Sequence, residues 1–244
     1  MTFQANADVN PRVGVILPTY CEAQNIEGLI AEIENLGINT SILVVDDSSP
    51  DKTADLVKNL QKKYDNLLLH IRPQKSGLGT AITDGFKIFL SLKSPPQFII
   101  TMDADYSHNP QNILKLLARM KRGCGMVIGS RYCQGGKTAG WSWARKLVSR
   151  TANTVAKWVA GLKLHDCTSG FRCYSTEFLK VAVGSLHSQT YEIQIETVRQ
   201  AFSNGFDVAE VPIFFVNRKR GKSKLTSTEI QGYTSYILKI MARL

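Results

Sequence analysis

Two aspartates separated by one residue are the feature of this sequence with the clearest chemical potential. Asp103 and Asp105 follow the apolar run FIITM. Side chains two residues apart in a strand point the same way, and two carboxylates at one place repel each other unless a cation lies beside them. Mg²⁺ and Mn²⁺ bind carboxylate oxygens together with substrate phosphates. The pair therefore predicts a metal–diphosphate site, the alternative being a solvated loop in which Asp103 caps a turn.

A second pair of carboxylates, Asp46 and Asp47, follows another apolar run. This pair is less specific, because the segment DDSSPD is also typical of a turn followed by a helix N-cap. One of the two aspartates could still hydrogen-bond a base or a ribose.

Several common site signatures are missing from the sequence. No G-x-G-x-x-G follows the first apolar run and no G-x-x-x-x-G-K-[ST] occurs, so neither a dinucleotide fold nor a P-loop is predicted. Gly77 and Gly79 predict only a turn into a helix. The five cysteines are scattered without a CxxC pair, which favours reduced thiols over disulfides or a zinc site. A bound metal would therefore be held by oxygen ligands.

The elements that must position these carboxylates follow from the apolar pattern of the first 130 residues. Apolar residues spaced i, i+3, i+4, i+7 predict helices around Ile26–Ile33 and Ile113–Met120. Short apolar runs between amphipathic segments are typical of an α/β fold, with a mostly parallel central sheet and helices on both faces. The predicted strands are Val13–Leu17, Ile42–Val45, Leu67–Ile71, Phe98–Met102 and Met126–Ile128.

The carboxyl ends of these strands are the expected place for a ligand, as in other open α/β sheets. Four segments stand directly after predicted strands, and three of them contain carboxylates. The four segments are Pro18–Glu22, Asp46–Pro50, Asp103–Asp105 and Ser130–Arg131.

The second half of the chain loses this alternation, and we interpret it as an elaboration of one domain spanning residues 1–244. Residues 141–162 project as a basic amphipathic helix, which fits an ordinary surface helix as well as one on a membrane surface. Trp141 and Trp143 could lie at a lipid interface or pack in the core. The C-terminal segment is also amphipathic, with Ile230, Tyr233, Ile237, Ile240, Met241 and Leu244 on one face.

The net charge of +10 comes from two basic blocks, partly offset by the net −3 of residues 166–212. Residues 1–130 are neutral overall, whereas 131–165 carry net +7 and 213–244 carry net +6. A nucleic-acid partner would predict a more uniform basic surface, so none is expected. Local blocks indicate that one end of the protein meets an anion, either a phosphate-bearing substrate or an anionic membrane. No apolar run is long enough to span a membrane, and the N-terminus has no signal-peptide pattern, which predicts a cytoplasmic protein.

Seven segments of the sequence resemble the family-2 inverting glycosyltransferases of GT-A fold, and among them the dolichol-phosphate (polyprenol-phosphate) mannose synthases. The first four motifs are shared by many glycosyltransferases, and the last three are more particular to these synthases. The segments are VILPTYCE (15–22), VVDDSSPDKT (44–53), MDADYSHNP (102–110), GSRY (129–132), WSWARKLVSRTAN (141–153), DCTSGFR (166–172) and NRKRGKSKL (217–225).

The resemblance implies a nucleotide-sugar-binding half, residues 1–130, with an Mg²⁺ or Mn²⁺ ion. Asp103, Asp105 and Arg131 would be the catalytic residues. Asp105 would bind the metal directly beside Asp103, and Ser107 stands where some relatives place a metal-binding Gln. The guanine and ribose would be held by Pro18, Tyr20, Glu22, Val45 and Asp47, and the diphosphate by Asp103, Ala104, Asp105, Arg131, Arg218 and Lys224.

The resemblance further implies an acceptor- and membrane-facing half, residues 131–244, in which Arg145 and Ser149 receive a lipid phosphate. These two residues are i and i+4, hence neighbours on one helix face. The implied reaction is inverting transfer of mannose from GDP-mannose to a polyprenyl or dolichyl monophosphate at the cytosolic face of a membrane, with a membrane-anchoring protein as a further partner. Two alternatives remain: a UDP-glucose-dependent polyprenyl-phosphate glycosyltransferase, and a non-enzymatic basic module that binds lipid surfaces.

Overall fold

The computed structural model describes residues 12–120, 123–159 and 161–218, together with Ser235, Tyr236 and Leu238. These residues form nine strands and seven helices. The strands are β1 (Val13–Thr19), β2 (Thr40–Asp46), β3 (Leu67–Ile71), β4 (Phe98–Thr101), β5 (Cys124–Ser130), β6 (Lys137–Ala139), β7 (Arg172–Ser175), β8 (Asp207–Pro212) and β9 (Phe214–Val216). The helices are α1 (Ile26–Glu34), α2 (Thr53–Leu60), α3 (Leu78–Ser91), α4 (Asn112–Arg119), α5 (Trp143–Val159), α6 (Thr176–Ala182) and α7 (Ile193–Ser203).

Seven of the strands form one sheet in the order β3-β2-β1-β4-β7-β5-β8. All pairs are parallel except those of β7, which runs antiparallel to β4 and β5. Strands β6 and β9 pair separately as a small parallel sheet. The predicted mostly parallel sheet is confirmed, and each of the five predicted strands lies at the position of an observed one.

Two apolar cores, one on each face of the sheet, explain why the central strands are apolar along their whole length. On one face, side chains of α3, α6 and α7 pack on alternate strand residues such as Ile16 and Ile99. On the other face, α1, α2 and α4 pack on the intervening residues, among them Val15 and Ile100. Helices therefore cover both faces, as the periodicity predicted.

Helix α5 differs from the surface helices that cover a core. Apolar side chains of this predicted amphipathic helix face outward: Leu147 and Val148 are exposed and Trp158 is 79% exposed. Trp143, at the start of the helix, is 78% exposed as well. Trp141, just before the helix, is buried and packs edge-on against Phe215. Of the two interpretations given for Trp141, core packing is therefore confirmed and a position at a lipid interface is wrong.

None of the helices in the described ranges combines the length and the apolar character needed to cross a bilayer. The predicted apolar face of the C-terminal segment, from Ile230 to Leu244, lies outside the described residues.

Candidate active site

A cleft opens where β1, β2 and β4 end, at the place predicted from the topology. Pro18, Tyr20, Glu22 and Asp47 line it from the ends of the first two strands. From the far side, the lining residues are Asp103, Ala104, Asp105, Tyr191 and Arg218. The structure thus brings together eight of the predicted nucleotide-binding residues, which are distant in sequence.

Three predicted nucleotide-binding residues are not among the described residues that line this cleft: Val45, Arg131 and Lys224. The side chain of Val45 is wholly buried in the core, so its predicted contact with the nucleotide is wrong for the side chain. The alternation of side chains along β2 explains the error, because Val45 packs on helix α3 rather than at the strand end. Lys224 lies outside the described residues.

The two adjacent aspartates at the end of β2 have different roles. Asp46 is fully buried and accepts hydrogen bonds from Thr19 and Ser49, so it stabilises the turn. Asp47 faces the cleft and accepts a hydrogen bond of 2.6 Å from Nε of Arg72. Asp47 is therefore the member of the pair that a base or ribose can reach.

Arg72 and Lys75 are site residues that the sequence analysis missed. Arg72 is buried and also donates to the hydroxyl of Thr80 at 2.6 Å, tying β3 to α3. Lys75 lines the cleft, with Nζ 4.9 Å from the centre of the Tyr20 ring. Both residues follow β3. Ligands in open α/β sheets bind at the carboxyl ends of strands, and this rule could have identified the two residues from the sequence.

Asp105 is the best-positioned carboxylate for a cation. Its side chain is 6% exposed, lies 2.9 Å from Nη2 of Arg218, and accepts the backbone N–H of Ser107 at 2.9 Å. Burial tends to raise the pKa of Asp105, but hydrogen bonding by Ser107 and the positive charge of Arg218 outweigh it, and the pKa is lowered. Asp105 is thus a carboxylate anion at neutral pH.

The oxygens around Asp105 fit Mg²⁺ or Mn²⁺. Asp103, with a side chain 39% exposed, opens onto the same cleft, and Ser107 is next to Asp105 in the turn. In the described ranges, no group of three or more His, Cys, Asp or Glu side chains is arranged to hold a metal. This agrees with the preference of Mg²⁺ for only one or two protein carboxylates, because the ion keeps several water or phosphate ligands.

His108 fixes the backbone at the start of this turn. The imidazole is stacked on Phe171 with ring centres 5.0 Å apart, and Nδ1 accepts a long, 3.4 Å, hydrogen bond from the N–H of Asp103. Burial lowers the pKa of His108 to about 4, so the ring is neutral at physiological pH and can accept that bond.

Arg131 is held by the protein rather than directed at the cleft. Its Nε donates to Asp166 at 2.7 Å and Nη2 donates to Asp166 and Thr168, at 2.9 and 2.7 Å. The side chain is 9% exposed and lies against the rings of Trp141 and Phe215. This fork-like ion pair orders the loop around Asp166, and the phosphate contact of Arg131 stays a prediction.

The predicted lipid-phosphate residues lie beside this pair. Arg145 stacks on Trp141, with its guanidinium 4.5 Å from a ring centre, and donates to Asn217 at 2.9 Å. The hydroxyl of Ser149 is 2.7 Å from that of Tyr132. Partial burial, and then the positive charges of Arg218 and Arg131, lower the pKa of Arg145. Three guanidinium groups therefore act on one region, which is the electrostatic requirement for an anion site.

Comparison with known sequences places these features in a family. The profile of glycosyl transferase family 2 matches residues 14–182. The chain is 38% identical over 229 residues to the polyprenol monophosphomannose synthase of Mycolicibacterium smegmatis, covering 92% of this chain and 86% of that protein. It is 36% identical over 236 residues to the dolichol-phosphate mannosyltransferase of Pyrococcus furiosus, covering 94% of this chain and 64% of that one.

Solved structures share the fold at low sequence identity. Glucosyl-3-phosphoglycerate synthase from Mycobacterium tuberculosis, in complex with Mn²⁺, UDP and glucosyl-3-phosphoglycerate, has a TM-score of 0.66 at 18% identity, covering 96% of this chain and 79% of its own. A mannosyltransferase from Pyrobaculum calidifontis, in complex with GDP-Man and Mn²⁺, has a TM-score of 0.63 at 15% identity, covering 95% and 65%. The predicted GT-A arrangement is confirmed by these likenesses.

Proposed function

The chain belongs to glycosyl transferase family 2 and is a glycosyltransferase, and we propose that it transfers mannose from GDP-mannose to a polyprenyl monophosphate with inversion. Support for the reaction comes from the two curated relatives, whose names specify polyprenol monophosphomannose and dolichol-phosphate mannosyl chemistry. The complex of the Pyrobaculum protein with GDP-Man supports the choice of donor.

The observation that carries the proposal is that Arg218 acts on both Asp105 and Arg145, the residues assigned to the donor diphosphate and to the acceptor phosphate. Arg218 pairs with Asp105 in the nucleotide cleft, and its charge also acts on Arg145 at the acceptor side. A donor diphosphate and an acceptor phosphate would therefore be bound within reach of one cation. This closeness is what transfer between two anionic substrates requires, since their mutual repulsion must be offset.

The acceptor phosphate needs no strong general base. A phosphate monoester has a second pKa near ~6, so one of its oxygens is already an anion at neutral pH. That oxygen attacks C1 of the mannose from the side opposite the diphosphate, the bond from C1 to the diphosphate oxygen breaks, and the configuration at C1 inverts. Arg145 and Ser149 would hold the attacking phosphate, while Asp166 holds Arg131 in place.

Asp105, with Asp103 and Ser107 beside it, would hold a divalent cation against the leaving diphosphate. When bound, Mg²⁺ or Mn²⁺ supplies Lewis-acid stabilisation of the negative charge on that diphosphate. Arg218 is paired with Asp105 at 2.9 Å, so it is already placed to move from the carboxylate to a phosphate oxygen. The Mn²⁺ in both solved complexes supports a divalent cation here.

The exposed apolar side of α5 would dock the enzyme on the cytosolic face of a membrane, where its lipid acceptor lies. Trp143 and Trp158 are at opposite ends of this helix, and basic Lys146 and Arg150 are exposed between them. Aromatic side chains at the interface and basic side chains near anionic headgroups are the pattern of interfacial helices. An anchoring membrane protein would strengthen this contact.

Sugar transfer to a short-chain polyprenyl phosphate in detergent tests the proposal. GDP-mannose and UDP-glucose are offered side by side with Mg²⁺ or Mn²⁺, using the wild type, Asp105→Ala and the exposed control Asp65→Ala. Mannosyl transfer that is lost only in Asp105→Ala is the expected result. Transfer from UDP-glucose alone would overturn the donor, and transfer from neither would overturn the acceptor.

A further inference from the structure

Gln194, in the first turn of α7, is a buried polar residue that none of the roles above uses. It is 2% exposed, and neither its amide nitrogen nor its amide oxygen has a hydrogen-bond partner among the described residues. A buried amide without partners is costly, and native proteins tolerate few of them outside functional sites. The backbone at Gln194 is well fixed, since its carbonyl accepts a hydrogen bond of 2.6 Å from buried Arg172.

The amide of Gln194 borders the room for one Cβ atom that Gly170 leaves unfilled. A Cβ on Gly170 would be 3.5 Å from Nε2 of Gln194 and 3.6 and 4.0 Å from the carboxylate oxygens of Asp103, and these are its three nearest heavy atoms outside the adjacent residues. The position therefore lies between a hydrogen-bond donor and a hydrogen-bond acceptor. Gly170 itself is partly exposed and has no left-handed backbone angle, so its backbone conformation does not demand glycine.

A hydroxyl group is the ligand chemistry that matches this space. Its oxygen can accept a hydrogen bond from the amide N–H of Gln194 while its proton is donated to Asp103. Nε2 of Gln194 and the nearer carboxylate oxygen of Asp103 are slightly farther from the Cβ position on Gly170 than an ideal hydrogen-bond length. A small shift of a hydroxyl oxygen from that position therefore allows both hydrogen bonds to form. A methyl group there would meet only polar atoms, and an anion would be repelled by Asp103.

We propose that Gln194, Asp103 and the space over Gly170 form a hydroxyl-binding subsite next to the metal–diphosphate site. Since the subsite adjoins Asp103 in the donor cleft, its occupant is a hydroxyl of the transferred sugar or an ordered water that orients Asp103. The inference rests on the proposed function, because it takes the cleft to bind a sugar nucleotide. With a sugar hydroxyl as the occupant, Gln194 is a donor-binding residue, a role that the family resemblance did not suggest.

Calorimetric binding of GDP-mannose and of GDP, each with Mn²⁺ and without acceptor, tests the subsite. The variants are Gln194→Leu, which removes the amide, and Gly170→Ala, which fills the space with a methyl group at ordinary contact distances. Gln200→Leu on the same helix and Gly184→Ala, whose Cβ would meet nothing within 4 Å, are the matched controls.

Both subsite variants are expected to bind GDP-mannose about 10-fold more weakly than the controls, the effect of one lost hydrogen bond. Weakening confined to GDP-mannose identifies a sugar hydroxyl as the occupant, and equal weakening of GDP identifies a water. Thermal unfolding of Gln194→Leu is expected at an unchanged or higher temperature, because an unpaired buried amide is removed. Unchanged binding of both ligands in both variants would overturn the subsite.

Monodeoxy analogues of GDP-mannose provide a second measurement. If a sugar hydroxyl occupies the space, the analogue that lacks this hydroxyl binds the wild type about 10-fold more weakly than GDP-mannose does. The same analogue and GDP-mannose bind Gln194→Leu equally well, because the variant has already lost the hydrogen bond. Because these measurements contain no acceptor, a failed transfer assay would overturn the proposed acceptor without affecting the subsite.

Discussion

At the scale of single residues, the site depends on buried charges that neutralise each other. Asp166 accepts three hydrogen bonds from Arg131, including one from its backbone N–H at 3.0 Å. The positive charge and hydrogen bonds of Arg131 outweigh the effect of burial and lower the pKa of Asp166. Neither residue can be neutralised alone without leaving an unpaired buried charge.

Replacing Asp166 by Asn should lower the free energy of unfolding by about 3–5 kcal/mol, because the guanidinium of Arg131 loses its counter-charge in a buried place. Urea denaturation at pH 7 measures the effect, with the exposed Asp207→Asn as control. Since the folded-state pKa of Asp166 is lowered, the stabilisation is present above the ordinary aspartate pKa and is lost as the pH falls below it. A loss under about 1 kcal/mol at pH 7 would contradict the structural role given to the pair.

His108 predicts a pH dependence of stability on the acid side of neutrality. Its pKa is about 4 in the folded protein and near 6.5 in the unfolded chain, so the unfolded state binds the extra proton between these values. Stability should therefore be full above pH 6.5 and fall by about 1.4 kcal/mol for each pH unit below it. Denaturation from pH 7 to pH 5 measures the slope, which should vanish in His108→Phe and persist in His187→Gln.

At the scale of elements, α5 is the helix to which the proposed function assigns contact with the membrane. The hydrophobic pattern of the sequence is that of a helix packed on a core, yet the helix presents most of that stripe to solvent. Its inward side rests on the protein through Ala156 and through Asn153, which donates to the carbonyl of His165 and accepts from the N–H of Cys167. The exposed stripe is therefore available to a lipid surface.

Replacing Trp143 and Trp158 together by Ser should reduce flotation with anionic liposomes several-fold while leaving thermal unfolding unchanged, because both rings are exposed. Transfer to a short-chain acceptor in detergent should persist. The control replaces exposed apolar residues elsewhere, Val181 and Phe202, by Ser. Equal loss of flotation in the control pair would refute a specific role for α5.

At the scale of the whole molecule, residues 1–130 are neutral overall and residues 131–244 carry the whole net charge of +10. The net +7 of residues 131–165 includes Arg131 and Arg145 in the site and Lys146 and Arg150 on the exposed part of α5. Basic side chains near an anionic membrane surface contribute about 1 kcal/mol each. Under the proposed function, the same block would offset repulsion between the two substrates and would also favour association with anionic lipid.

Neutralising Lys146 and Arg150 together as Gln should weaken binding to anionic vesicles about 30-fold, and the difference should shrink as salt is raised, since the Debye length falls. Vesicle cosedimentation at low and high salt measures it. Lys62→Gln with Lys63→Gln, two exposed lysines in the neutral half, form the matched control. If the binding of the wild type to anionic vesicles does not change with salt concentration, α5 docks through its apolar residues alone.

The sequence by itself determined strands β1 to β5, the carboxylates at the ends of three of the predicted strands or just after them, and the family, because each depends on local periodicity and on residues close together in the chain. Strand β7 was missed because it begins with a charged residue, Arg172, which is nevertheless buried. Arg172 donates hydrogen bonds to the carbonyl of Cys167 and to the hydroxyl of Thr197, and the local sequence pattern does not reveal these partners.

Only the tertiary structure decided which of several plausible side chains face the cleft. It separated Asp47 from Asp46, paired Arg131 with Asp166, brought Gln194 and Asp103 to the same glycine, Gly170, and left the apolar side of α5 uncovered. Each outcome depends on contacts between segments far apart in sequence. Burial, pairing and exposure are properties of those contacts, and they do not exist until the chain has folded.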